Sequence, residues 1–519
     1  MPARAHTDIT PHRGLVTVCA MAATLMQALD GTIANVALPY MQGGLSATAD
    51  QVTWVLTSYI TAAAVMTAPV GFLAARYGRR RLFLVSVGGF TLASVLCGAA
   101  QSLEQLVLFR LLQGGFGAAL VPLSQSALLD MYSEAQRGQA MAIWGMGVML
   151  GPILGPTLGG VLTDAWSWRW VFYVNLPVGV LCFLGLLAFM EPDRAGAEER
   201  RGGFDWFGFA TLGLGVGALQ FMLDRGEVKH WFGSAEIVAA AAASAIGLWL
   251  FLVHLLTAER PLFPPRIFRD RNLVAGLGIM AASVGIMFAS AALVAPYLQT
   301  LAGYPVLDAG LLLAPRGVGT MAAMLLAGQL AARVDPRRLM LLGILLLTWT
   351  LWDMTRWTPD VPARWLLVNT TAQGFALGFV FIPLTLVSFA TLDPALRTDG
   401  TALLSLVRNI GSALCIAAMT ALLVRNTQVA HAGLVEHVTP LNRLFGLPEI
   451  ARFWDPSTAS GAALLNAEVT RQASIVAYAN DFLLLTFLSA AMVLLLPLMR
   501  RPPGRAAAPG GGPAQAAME

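Results

Sequence analysis

Two ionisable side chains stand where a bilayer-spanning segment should carry none. Asp30 falls inside LVTVCAMAATLMQALDGTIANVALP (Leu15–Pro39), a run long enough to cross the hydrocarbon core, which needs about 20 apolar residues. A carboxylate there costs about 2.5–3.5 kcal/mol on insertion scales. Desolvation disfavours a charge at that position, which suits the side chain to taking up and releasing a proton on a transport path. Arg110 lies several residues into the fourth apolar run. An isolated guanidinium is expensive there, so it must find carbonyls, a carboxylate or water. Gln113, Asn369, Gln373 and Arg408 are further polar groups in apolar runs and are candidates to line a substrate cavity. Arg408 is the deepest of them and is expected to face the interior and to be paired. Arg316, directly after Pro315, is expected to snorkel toward the outer surface. Asp224 and Asp353 read as solvated span ends, and His254 as packing or making a local hydrogen bond. His431 and His437 lack the neighbouring Cys or carboxylate spacing of a metal site. No cofactor is expected: with Lys229 the one lysine, no GxxxxGK[ST] phosphate loop is possible.

The elements that hold these groups are membrane helices. Of the 519 residues, 57% are hydrophobic and 12% charged, far from soluble norms. The net charge of +4 does not mark a nucleic-acid partner, because the basic residues fall in short clusters between apolar runs. Cys19, Cys97, Cys182 and Cys415 all lie in apolar stretches and read as small core residues. The first run is too long for a signal peptide and lacks a small-residue cleavage site, so it is read as retained. About fourteen apolar runs recur. They divide the chain into a tail at 1–13, six spans at 14–190, two accessory spans at 204–256, and six spans at 272–499. A long loop at 425–480, with Pro440, Pro448 and Pro456 and then a helix-like run, AALLNAEVTRQASIVAYAN, interrupts the last group, and a Pro/Gly/Ala-rich tail at 500–519 reads as disordered. With an even number of spans, arginines such as Arg76, Arg79, Arg80, Arg81, Arg137, Arg333, Arg337 and Arg338 collect on one side. The positive-inside rule then places both termini in the cytoplasm.

The chain also repeats itself. GFLAARYGRRRL (Gly71–Leu82) and GQLAARVDPRRL (Gly328–Leu339) match at eight of twelve positions. LLQGGFGAALVPL (Leu111–Leu123) is echoed by AQGFALGFVFIPL (Ala372–Leu384) at a similar offset of about 260 residues. That offset exceeds what six spans need, so two extra spans lie between duplicated halves. Parallel repeats about an axis along the membrane normal imply a central cavity that opens alternately to each side.

Four motifs carry a resemblance to the major facilitator superfamily and its fourteen-span drug:proton antiporter branch: LDGTIANVALP (Leu29–Pro39), GFLAARYGRRRLF (Gly71–Phe83), LFRLLQGGFGAALVP (Leu108–Pro122) and GPILGPTLGG (Gly151–Gly160). MLDRG (Met222–Gly226), SLVRNIGSALC (Ser405–Cys415) and the long loop resemble EmrB-type pumps. The resemblance implies an all-α integral membrane protein with the major facilitator fold, two six-helix bundles plus two accessory helices. It implies proton coupling through Asp30 and Arg110. It implies gating through the loop motif, Gly71, Arg76, Gly78, Arg79 and Arg80, and through the fifth-span motif, Gly151, Gly155, Pro156, Gly159 and Gly160, where small residues at four-residue spacing allow close helix approach. One position departs from the pattern: Ala75 stands where the family usually has Asp, and Asp335 or Asp399 are placed to substitute.

The expected activity is proton-driven export of lipophilic, amphipathic, often cationic compounds across a cell inner membrane. The expected partners are these small molecules, protons and membrane lipid, with a periplasmic adaptor and outer-membrane duct implied by the EmrB-like loop. A narrow-specificity exporter of a metabolite, siderophore or peptide would share every motif. An intramembrane enzyme would need a catalytic constellation that the spans do not offer. A scaffold with a dead pump core has Ala75 as its one hint, against the intact Asp30 and Arg110.

Overall fold

A computed structural model describes residues 12–191, 203–331, 333–438, 454 and 458–500, and the two tails and part of the long loop fall outside these. With no water to satisfy backbone groups in hydrocarbon, apolar runs of this length close their hydrogen bonds internally as helices. The first half holds α1 (Arg13–Gly44), α2 (Trp54–Thr67 and Val70–Tyr77), α3 (Arg79–Ala99), α4 (Leu103–Gly117 and Leu120–Met131), α5 (Glu134–Ala165) and α6 (Trp170–Tyr173 and Asn175–Phe189). Two further helices follow, α7 (Trp206–Arg225) and α8 (Ala235–Thr257). The second half holds α9 (Arg271–Pro296), α10 (Val306–Leu330), α11 (Pro336–Met354), α12 (Ala363–Ser388), α13 (Arg397–Val435) and α14 (Ala459–Ala491).

Among the described residues, 11 helices are long and apolar enough to span a membrane, or up to 12 if the α2 pair, bent by 57° beside Pro69, counts as one. With α5 and α11 packed among them, the arrangement is consistent with the fourteen runs of the sequence. The outer surface suits lipid: Leu181, Leu256 and Leu494 are 72%, 75% and 74% exposed, which water would penalise in large patches.

Local chemistry sets the helix ends. The Asp205, Asp270 and Asp335 side chains accept from backbone N–H groups in the first turns of α7, α9 and α11, satisfying donors that lack intrahelical partners. Gly78, at φ 88°, takes the left-handed turn between α2 and α3 that other residues resist. The α5 glycines let α5 approach α1 closely. A Cβ on Gly151 would meet the Ala28 carbonyl carbon at 2.7 Å, and one on Gly155 would meet Thr32 Oγ1 at 2.1 Å. The fifth-span motif therefore clamps α5 onto α1, the helix that carries Asp30.

The segment read as a loop from 425 to 480 begins as helix, and it ends in helix over the helix-like run AALLNAEVTRQASIVAYAN that leads into the final span. α13 continues to Val435 over 39 residues and α14 starts at Ala459, because neither sequence contains a Pro or Gly stop at the membrane boundary. Asn426 Nδ2 donates to Asp481 Oδ1 at 3.0 Å, and His431 Nε2 lies 3.0 Å from Asn466 Oδ1, so the two helices run on together. Pro440, Pro448 and Pro456 lie outside the described residues.

Candidate functional site

Asp30 and Arg110 meet. Both side chains are fully buried, and Arg110 Nη1 donates to Asp30 Oδ2 at 2.5 Å. α1 brings the carboxylate and α4 the guanidinium, 80 positions apart in sequence. The other carboxylate oxygen, Oδ1, accepts from Gln113 Nε2 at 2.8 Å and Asn175 Nδ2 at 3.1 Å. Gln113 also accepts from Arg110 Nη1 at 2.9 Å, while Arg110 Nε donates to the Val55 carbonyl at 3.0 Å. The Tyr59 ring lies 4.1 Å from the guanidinium carbon and the Phe172 ring 5.6 Å, adding cation–π attraction in a dry site. The two charges are therefore matched, while Arg110 Nη2 has no hydrogen-bond acceptor among the described residues. Protonating Asp30 removes the negative charge and leaves Arg110 facing only dipoles and rings, an expensive state that favours rearrangement.

Asn175 and Tyr59 were not singled out in the sequence. Asn175 carries the same signal as Asp30, a polar group in an apolar run. Tyr59 carries none, because an aromatic at helical spacing is ordinarily core.

A cavity of about 580 Å³ lies beside this network, between the two halves. α1 contributes Gln27, Ala28, Gly31 and Thr32, α2 contributes Tyr59, and α5 contributes Trp144. The second half contributes Met280, Met287, Phe288 and Phe381, and α13 supplies Ser405, Arg408, Asn409 and Ser412. α7 also reaches the cavity, through Gln220, Leu223 and Asp224. Asp30 does not line the cavity: it sits behind the α1 wall, and Tyr59 touches both spaces.

Several expected positions move. Of the four candidate cavity residues, Arg408 lines the cavity. Gln113 turns to Asp30, and Asn369 Nδ2 donates to the Thr350 carbonyl at 3.0 Å and to Asp353 Oδ2 at 2.9 Å. Gln373 is 1% exposed in the helix core. These amides are buried by tight packing of α4 and α12, which a count of polar residues in apolar runs does not register. Arg408 faces the interior as expected but makes no ion pair with a described residue. Arg316 does not snorkel outward. It donates to the Met287 carbonyl at 2.8 Å and to Ser290 Oγ at 2.9 Å, because α9 offers it acceptors at depth. Asp224 is not a free span end, since it accepts from Thr57 Oγ1 at 2.6 Å. Asp353 is held by the indole N–H groups of Trp357 and Trp365 as well as by Asn369. His254 does make a local hydrogen bond, 2.8 Å from Asp205 Oδ1.

The loop motif lies at the Arg-rich end of the cavity, where the two halves touch. Arg79 pairs with Asp130, and Asp130 in turn accepts from Arg397 Nη1 of the second half at 2.5 Å. Thr401 Oγ1 donates to the Pro122 carbonyl at 3.2 Å, and Gly138 and Gly328 cross so closely that a Cβ on either would lie 2.7 Å from the other's carbonyl oxygen. A Cβ on Gly71 would overlap the Asp399 carboxylate, at 1.7 Å from Oδ1, and Asp399 is 3% exposed. Of the two acids placed to stand in for the residue missing at Ala75, Asp399 therefore reaches the motif. Asp335 stays in its own helix cap. Arg76 lies on the last turn of the α2 pair, and Arg80 donates to the Leu187 carbonyl at 2.6 Å. In α5, Gly159 packs on Ile33, Gly160 faces open space, and Pro156 lies within the helix with its side chain outside the described residues.

The family model of the Major Facilitator Superfamily matches residues 20–416. The chain belongs to that superfamily. It is 33% identical over 429 residues to multidrug export protein EmrB of Escherichia coli (strain K12), covering 82% of this chain and 83% of that protein. It is 32% identical over 507 residues to fatty acid resistance protein FarB of Neisseria gonorrhoeae, covering 96% and 98%. Among solved structures, the human organic anion transporter MFSD10 superposes with a TM-score of 0.58 at 15% identity, covering 92% of this chain and all 100% of that one. At that identity the likeness concerns the fold, and it agrees with an all-helical major facilitator architecture.

Proposed function

We propose that this protein exports lipophilic, amphipathic compounds by alternating access, driven by protons that enter through Asp30. The observation that carries the reading is the fully buried Asp30–Arg110 pair on the far side of the cavity's α1 wall. The similarity to multidrug export proteins over most of the chain supports drug efflux, and the Arg-rich face supports cytoplasmic termini in a cell inner membrane.

The contacts between halves lie at the Arg-rich end, and the cavity runs toward Asp224 at the other. This arrangement corresponds to an outward-facing state, latched at the cytoplasmic side by Arg397, Asp130 and Asp399. Asp30 takes a proton from the outer side. The neutral carboxyl releases Arg110, and α1, clamped to α5 by the glycine stripe, moves the cavity wall that it shares. In the inward-facing state, Arg110 draws the proton off again and substrate enters. Tyr59 holds the boundary between proton site and cavity, so the two ligands act through the helix rather than by contact. Each charge moved across 100 mV supplies about 2.3 kcal/mol, enough for more than a tenfold gradient. At the outer end, the joined extensions of α13 and α14 are the surface on which an adaptor protein would dock to complete a path to an outer-membrane duct.

The test is substrate-dependent proton movement in everted or reconstituted vesicles, comparing the natural protein with Asp30→Asn. Loss of proton movement in the variant supports the reading. Undiminished coupled transport would place the proton path elsewhere.

A further inference from the structure

We propose that Trp231 is a lateral seal: its indole closes a slot between α7 and α13 through which the cavity would otherwise open into the outer leaflet of the bilayer. The inference rests on the outward-facing export reading, since it concerns where released cargo can go.

An apolar pocket of about 470 Å³ lies against the wall that α7 and α13 give the cavity. Leu223, Trp231 and Ala417 line both spaces, so these three side chains are the partition between them. The rest of the pocket lining is apolar and includes Phe232 and Leu414, which are 69% and 43% exposed. Large apolar side chains left bare beside a membrane span mark a surface that lipid covers. Ala417 stands about 30 Å along α13 from Arg397 at the Arg-rich end, which sets the partition at the depth of the outer leaflet.

The slot follows from the way the halves separate. In an outward-facing arrangement they meet at the Arg-rich end and part at the other, which opens a gap between the facing edges, α2 and α13. α7 is fastened to the α2 side of that gap. Asp224 accepts from Thr57 Oγ1 at 2.6 Å, the Arg225 guanidinium carbon lies 5.1 Å from the Trp54 ring, and Phe221 packs on Trp54 at 5.6 Å. The turn after α7 then reaches across toward α13. It does so with two successive left-handed residues, His230 at φ 56° and Trp231 at φ 49°, a backbone that costs energy wherever a Cβ is present. Local contacts hold it there. The Trp231 backbone N–H donates to the Gly226 carbonyl at 2.6 Å and its indole N–H to Glu227 Oε2 at 2.9 Å. The ring lies so close to Gly226 that a Cβ there would meet it at 2.6 Å. Opposite, α13 offers the small side chains Ala417, Ala418 and Ala421, over which the indole can slide. The door rides with the first half, and the second half moves past it.

The chemistry explains the need. Lipid tails are as apolar as the cavity wall, so a gap at this depth would hand lipophilic cargo back to the membrane it was taken from. Acyl chains would also enter and compete for the space. A rigid indole with its N–H satisfied inside the turn fills the gap without offering a polar group to hydrocarbon.

The experiment reconstitutes the full-length protein with phosphatidylcholine that carries a photoreactive diazirine in its acyl chain, and maps the labelled residues by mass spectrometry. In the natural protein, label is expected on Phe232 and Leu414, with Met287 and Phe288 of the cavity wall at background. Trp231→Ala should raise labelling of Met287 and Phe288 about tenfold, as open space replaces an aromatic plug, while Phe232→Ala should leave it within about twofold. Unchanged labelling of Leu256 and Leu494, exposed to lipid elsewhere, certifies that a variant is folded. Cavity labelling unmoved by Trp231→Ala would overturn the proposal. If that variant does not fold, the natural protein decides alone, and Met287 and Phe288 labelled as strongly as Leu414 would overturn it. In vesicles, Trp231→Ala should keep cargo-driven proton movement while net export of cargo falls. A sealed labelling pattern in a protein that exports nothing would refute the export reading and leave the seal standing.

Discussion

Removing the Asp30 carboxylate should destabilise the protein and uncouple it, and a second substitution should separate these effects. Asp30 and Arg110 are both at 0% exposure and joined at 2.5 Å. Deleting one partner of such a pair leaves an uncompensated charge and costs about 3–5 kcal/mol. Asp30→Asn and Arg110→Gln should each cost that much. If the sites were independent, the double variant would lose about 6–10 kcal/mol. Because the loss in each single variant comes from the stranded partner, the double variant should lose about as much as one of them, a coupling of about 3–5 kcal/mol. Asn and Gln also keep hydrogen bonding within reach of Gln113 and Asn175, whose amides already face Asp30. The assay is unfolding in mixed micelles along an SDS titration, with proton flux measured on the same preparations. The second substitution should cost no further stability, and coupled transport should stay lost, since no group is left to carry the proton. Additive losses would refute the pairing, and restored coupling would refute the role of Asp30.

The glycine stripe makes a sharp contrast. Gly151→Ala should cost about 1–3 kcal/mol, because its Cβ meets α1 backbone at 2.7 and 2.8 Å, whereas Gly160→Ala, with nothing within 4 Å, should be neutral in thermal stability. Arg397→Ala should loosen the contact between halves by about 1 kcal/mol, a shift of about fivefold toward the inward-facing state, read by spin-label distances across the Arg-rich face. Tyr59→Leu should raise proton leak in the absence of substrate, seen as faster collapse of an imposed pH gradient, while Tyr59→Phe, which keeps the ring over Arg110, should not.

The helices were legible because hydrocarbon permits so little else: apolar runs of bilayer length become spans, and Asp30 and Arg110 stand out against them. Their pairing was not legible, since a contact across 80 residues is made by packing α1 against α4 and leaves no local trace. The same limit explains the amides. Gln113 and Asn369 look alike in sequence, yet one serves Asp30 and the other caps a tryptophan-bound Asp353. Arg408 was expected to be paired because an unpaired charge at depth is costly, and that cost is what singles it out once the neighbours are known. The substitution at Ala75 is readable only in three dimensions, where Asp399 arrives from the opposite half to fill the place beside Gly71.

The wall between Asp30 and the cavity has a pharmacological consequence. On the proposed reading, a compound lodged among Trp144, Phe288 and Arg408 would occupy the drug's place without displacing the proton from its own. Blockers of the two spaces would differ in kind: one competes with cargo and spares the resting gradient, while the other halts turnover for every cargo alike. Resistance changes in the binding surface could then broaden or shift the spectrum of exported compounds while the motor, enclosed by other side chains, stays untouched.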